Sequence, residues 1–162
     1  MEINILGYTI IFFVLVITYR IYKESDYFHL KCIISDVDGN KYCVRERNKL
    51  KLAADKLANV NVKLKQLVKH VGKKYPDREN CKRLVSKFNP KKIYETLPTS
   101  EYTAYSQNKG EKLAFCLNTK KNGGKLIDLN TLTFVAIHEL AHIASKSIGH
   151  NEEFWNNFKF LL

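Results

Sequence analysis

A chain of 162 residues, 45% hydrophobic and 27% charged, is long enough for one domain with a real core and little more, and most of it is expected to fold. Its formal net charge of +11 favours anionic partners, nucleic acid or an anionic membrane face, or else serves solubility, because the lysines are spread out. Cys32, Cys43, Cys81 and Cys116 form no C-x-x-C pair, so neither a disulfide framework nor a cysteine zinc site is expected, and all four read as reduced thiols.

The first element is INILGYTIIFFVLVITY, Ile3 to Tyr19, which carries no charge. As a helix it spans roughly 26 Å, slightly short of a hydrocarbon core. Tyr8, Tyr19 and Tyr22 suit interfaces, and Arg20 and Lys23 can snorkel. A cleaved signal peptide is the rival reading. It wants a positive start and a small-residue cleavage site, whereas this chain starts Met-Glu and leaves through ITYRIYKESDYF. We therefore expect residues 1–23 to be a transmembrane anchor and its flank, and residues 24–162 one folded domain. Arg20 and Lys23 follow the span and only Glu2 precedes it, so the positive-inside rule places residues 20–162 on the cytoplasmic side of a single-pass protein.

KCIISDVDGNKYCVRE, residues 31–46, reads as a β-hairpin turning at Asp38-Gly39. A calcium loop over Asp36 and Asp38 fails, because the glycine comes too early and its twelfth position is Arg47. Residues 46 to about 72 read as a long helix with one apolar stripe of Leu50, Ala53, Leu57, Val60, Leu64, Leu67 and Val71. That stripe packs on the rest of the domain or seals a short coiled coil, and its lysine faces can lie near phosphates. Gly72 and Pro76 end it, and Asp77 caps a second helix, DRENCKRLVSKF. KKIYETL, YTAYS and KLAFCLN are candidate strands, KKNGG a turn and LID a brief strand. Neither repeats nor low-complexity tracts interrupt them.

Asn130 or Asp128 then caps a helix running from Leu132 to Ile148, apolar on most sides and so central. His138 and His142 are four apart and share a face, as two ligands of one Zn²⁺ require. Glu139 is turned about 100° from His138 around the axis, poorly placed to ligate but well placed to take a proton from the attacking water. Two imidazoles and a carboxylate in a buried helix are costly without a partner. A catalytic zinc wants a third protein ligand. His150 is the best candidate, reached by a reversal at Ile148-Gly149, with Glu152 and Glu153 as rivals from a last helix capped by Asn151. Phe154, Trp155, Phe158 and Leu162 are expected to pack behind the metal helix. Tyr102, Tyr105 and Lys146 are candidate oxyanion donors, and KLAFCLN is the candidate strand edge for substrate addition.

HELAH…GHNEEFW resembles the WLM and SprT-like zinc metallopeptidases, over roughly residues 100–162, and the domain as a whole is similar to metallopeptidase-like proteins of large DNA viruses. The resemblance implies His138, His142 and His150 as zinc ligands, Glu139 as catalytic acid/base, and a compact α+β minimal protease. In several members of that family the substrate is protein crosslinked to DNA. The stretch from His142 to His150 is longer than the family's usual spacing.

The expectation is thus an α+β metallopeptidase domain behind one transmembrane helix, with a central HExxH helix, a small sheet and a long amphipathic helix. Its cofactor would be Zn²⁺ and its partners a protein or peptide substrate, the membrane through residues 3–19, and nucleic acid through the basic surface. The substrate would be membrane or virion proteins, or DNA-associated ones. The rival is a non-catalytic, zinc-containing basic module that binds nucleic acid or a protein partner.

Overall fold

A computed structural model describes residues 5–24, 30–97, 100–120 and 123–162. The apolar N-terminal run forms helix α1, Ile5–Glu24. It buries none of its apolar window against the rest of the chain, and it is long and apolar enough to cross a membrane. A helix apolar on every side and left unpacked is suited to lipid rather than to water. Ile3 and Asn4, the start of the expected span, lie outside the described residues.

The expected hairpin forms as β1, Leu30–Ile34, and β2, Lys41–Arg45, which pair antiparallel. Gly39 takes the left-handed turn position at φ 68°. Asp38 accepts hydrogen bonds from the Asn40 N–H at 3.1 Å and the Tyr42 hydroxyl at 2.8 Å, closing the turn as a structural feature. The hairpin register sets Cys32 opposite Cys43, and the two are joined in a disulfide. This corrects the expectation of four reduced thiols. Only Cys81 and Cys116, both buried, remain free. Cross-strand pairing is fixed by register and leaves no local spacing signature.

Helix α2, Leu50–Lys74, starts later than expected and runs past Gly72. Gly72 serves approach rather than termination: a Cβ there would sit 2.6 Å from Val85 Cγ2 on the neighbouring helix. That neighbour is α3, Glu79–Lys87, whose cap position is Arg78 and not the expected Asp77, with no side-chain cap bond. The buried face of α2 includes Ala53, Leu57, Val60, Leu64, Val68 and Val71. It is consumed by the chain's own core, which leaves no coiled-coil seam.

Three strands form the main sheet: β3, Ile93–Glu95; β4, Ala104–Gln107; and β5, Lys112–Phe115, in the order β3-β5-β4. β5 pairs parallel with β3 and antiparallel with β4. KLAFCLN is therefore the central strand, buried on both sides, and cannot serve as the substrate edge; β4 is the edge strand near the helix that carries His138 and His142. A second hairpin follows, β6, Asn118–Lys120, and β7, Gly123–Leu126. LID contributes only its leucine to β7, and residues 121–122 of the expected KKNGG turn lie outside the described residues. Glu95, buried in β3, pairs with Arg47 and accepts the Arg45 N–H at 2.7 Å, tying the first hairpin to the sheet.

Helix α4, Leu129–Ala144, is capped by Asp128, whose side chain accepts the Thr131 N–H. It packs against α2, α3, β4 and β5 and carries the buried residues Leu132, Leu140 and Ile143. Helix α5, Glu152–Leu161, is capped by Asn151 and lies along α4. The result is a mixed α+β domain with small sheets, built around α4.

Candidate metal centre

α4 ends at Ala144, one turn earlier than expected, and residues 145–151 form a tight return loop. Gly149 takes φ 87° in that loop, as the expected reversal required. The return brings His150 back over α4. One ligand nitrogen from each of His138, His142 and His150 lies within 4.8 Å of the others. The Nε2 atoms of His138 and His150 are 3.0 Å apart. Ring centroids are separated by 4.9 Å for His138–His142, 4.9 Å for His138–His150 and 4.8 Å for His142–His150.

One side chain organises the three rings. Phe154 of α5 is fully buried, and its ring lies 4.7 Å from His138, 4.3 Å from His142 and 4.7 Å from His150. Phe158 stacks behind Phe154 and contacts His138. Aromatic edges around an imidazole hold its plane without competing for its nitrogens. The expectation that this helix backs the site holds for Phe154 and Phe158. It fails for Trp155, 46% exposed, and Leu162, which face outward. Trp155 instead flanks His150 from the rim.

The loop that carries His150 is pinned by charge on both sides. Glu153, weighed above as a ligand, points away from the imidazoles. It accepts the N–H of Lys146 at 2.8 Å, the N–H of Ser147 at 2.9 Å and the Ser147 hydroxyl at 2.5 Å, and pairs with Arg83 at 3.3 Å. These donors hold its carboxyl far down, at about 2. Glu152 is no part of the imidazole cluster either. The carbonyls left open at the end of α4 are met by cations: Arg83 donates to Ala144 at 2.9 Å, and Lys109 Nζ donates to Ser145, Lys146 and Ser147 at 2.9, 2.6 and 2.9 Å. Sequence reading did not find Arg83 or Lys109, because both are distant in the chain from the loop they hold.

Glu139 is buried, lines the same cleft and has no hydrogen-bond or ion-pair partner among the described residues. Burial alone raises its carboxyl to about 7. Burial also lowers both imidazoles of α4, with help from neighbouring rings; His142 falls to about 4. Near neutral pH these rings are therefore unprotonated, the state in which imidazole binds metal.

The cleft measures about 510 Å³. β4 forms one wall, with Tyr105 and the buried Ser106 hydroxyl, which lacks a partner among the described residues. Tyr102 and Ile148, both exposed, stand at the rim. Of the expected oxyanion donors, Tyr102 and Tyr105 line the cleft and Lys146 does not.

No protein-family model matches the chain. An uncharacterized protein of Acanthamoeba polyphaga mimivirus is 29% identical over 132 residues, covering 79% of this chain and 66% of that protein. An uncharacterized protein of Invertebrate iridescent virus 6 is 31% identical over 87 residues, 52% of this chain and 48% of that protein. The chain spans less than two thirds of the first and about half of the second. No solved structure matches.

Proposed function

We propose that the chain is a zinc-dependent metallopeptidase, held at a membrane by α1, with His138, His142 and His150 as ligands and Glu139 as general base and acid. The observation that carries this reading is the convergence of three imidazoles beside a buried, partnerless carboxyl in one open cleft. The donor set fits: neutral imidazole suits zinc, and three ligands with one open side is the catalytic arrangement rather than the closed structural one. That favours the peptidase over the non-catalytic basic module. The resemblance of HELAH…GHNEEFW to WLM and SprT-like metallopeptidases points the same way.

Bound zinc would supply Lewis-acid polarisation of a water and of the scissile carbonyl. Glu139 takes the proton from that water and passes it to the leaving amine, and a carboxyl that titrates near 7 is suited to both transfers. Tyr105 and Tyr102 are within the cleft to donate to the developing oxyanion. Arg20 and Lys23 favour the cytoplasmic side for residues 20–162, whereas the Cys32–Cys43 bond suits an oxidising compartment and counts against it. A chain so anchored acts on polypeptides at or near the membrane. DNA-crosslinked protein, the substrate of several family members, lacks that support.

The test uses the full chain in detergent. Elemental analysis is expected to find one zinc per chain, and a generic unfolded protein is expected to be cleaved. Glu139→Gln should keep the zinc and abolish cleavage. Cleavage that persists in Glu139→Gln, or a chain that takes up no stoichiometric metal, sinks the assignment.

A further inference from the structure

A second concavity, of about 570 Å³, lies between the start of α2 and the β6–β7 hairpin, away from the imidazoles. Arg47, Lys49, Lys56 and Lys125 line it together with Leu52, and no carboxylate does. Arg47 is shared with Glu95 and Asn118. The side chains of Lys49, Lys56 and Lys125 have no ion-pair or hydrogen-bond partner among the described residues, whereas those of the neighbouring Lys31 and Lys51 are paired with Glu46 and Asp36. Three unpaired cations therefore face one groove. The start of α2 opens at the same place, with Lys49 at the cap position, no side-chain cap and no acid in the first turn. Its partial positive charge adds to theirs.

The position of the groove identifies its occupant. Leu30, the first described residue after α1, pairs with Arg45. Arg47 is two residues further on, so the groove begins within roughly 10 Å of the point where the chain leaves for α1. Residues 25–29 separate Glu24 from Leu30. Even fully extended they reach only about 22 Å, less than the roughly 35 Å width of a domain of this size. For a chain whose α1 crosses a bilayer, the faces around Leu30 meet the headgroups first.

We propose that this groove binds the phosphate headgroups of anionic phospholipids in the bilayer that α1 spans, and so fixes how the domain sits on the membrane. The proposal rests on α1 as a span and is independent of the peptidase reading. Leu52, an exposed leucine on the groove floor, adds apolar contact at the acyl boundary. Each cation close to an anionic leaflet strengthens contact about five-fold, so the three unpaired lysines together favour the docked state by about a hundred-fold.

The test places the full chain in nanodiscs of phosphatidylcholine, or of phosphatidylcholine mixed with phosphatidylserine, and follows amide hydrogen exchange. Protection of residues 47–56 and 123–126 should appear only with phosphatidylserine. It should fall by about a hundred-fold in Lys49→Gln/Lys56→Gln/Lys125→Gln and should weaken with salt. These exposed or half-exposed positions leave the core intact, which unchanged protection of α4 verifies. Equal protection in both lipids overturns the proposal. So does protection in phosphatidylcholine discs on adding inorganic phosphate alone, or an oligonucleotide, each of which would reassign the groove to that ligand. The α1 amides report separately on the span: if they exchange freely in the discs, the span itself is wrong and the groove loses its stated occupant.

Discussion

Replacing Glu153 with alanine should weaken zinc binding although Glu153 touches no imidazole. Its carboxylate accepts three hydrogen bonds from residues 146 and 147, the segment that returns the chain to His150. Hydrogen bonds to a charged acceptor contribute about 1.5–3 kcal/mol each when sheltered. The Glu153 side chain is 35% exposed, so water replaces part of what is lost, and its pair with Arg83 adds at most about 1 kcal/mol. A net cost of about 2 kcal/mol for holding the loop follows, which is about thirty-fold in the affinity of a site that needs His150 in place. Competition with a chelator of known zinc affinity measures this on the full chain. Glu153→Gln keeps one acceptor oxygen without the charge and should fall between alanine and the parent, while His150→Ala should match or exceed Glu153→Ala. If Glu153→Ala holds zinc within about three-fold of the parent while His150→Ala does not, the loop needs no pin and the reasoning fails.

The remaining expectations concern stability. Phe154→Ala opens a fully buried cavity beneath all three rings and should cost about 3–5 kcal/mol in guanidinium unfolding, with loss of metal even where the fold survives. Gly110→Ala should cost about 2 kcal/mol or more, since φ is 109° and the new Cβ would lie 2.7 Å from the Lys87 carbonyl oxygen; its thermal midpoint should drop clearly below the parent's. Glu153 titrates at about 2 in the fold against 4.5 ordinarily, so its contribution is complete above about 4.5 and is lost as pH falls toward 2. Urea midpoints at about pH 6 and about pH 3 should therefore diverge more in the parent than in Glu153→Gln.

Local signals served the reading of this chain wherever the physics is local. The period of α2, the Asp128 and Asn151 caps, the Asp38-Gly39 turn and the four-residue spacing of His138 and His142 are each set within one or two turns of backbone. His150 was legible because a glycine able to take positive φ precedes it. Where partners are distant, the sequence was silent or misleading. The order β3-β5-β4 makes KLAFCLN central, and nothing within those residues records which neighbours they find. Gly72 looks like a helix stop until Val85 is seen against it. Cys32 and Cys43 look like two unrelated thiols until the register pairs them. Helical spacing groups Trp155 with Phe154 and Phe158 as core, yet the buried face of α5 is Phe154, Asn157, Phe158 and Leu161, and Trp155 falls beside it.

The clamp on the return loop also bears on the order of assembly. Arg83 reaches Ala144 across 61 residues and Glu153 across 70, and Lys109 reaches Ser147 across 38. Such contacts close long loops of chain and form only after α3 and the strands have found their places. A peptide cut from residues 128–162 would carry all three imidazoles, Glu139 and Glu153 but neither Arg83 nor Lys109, so the loop would lack half of its clamp and the cluster is completed only once the rest of the domain is in place.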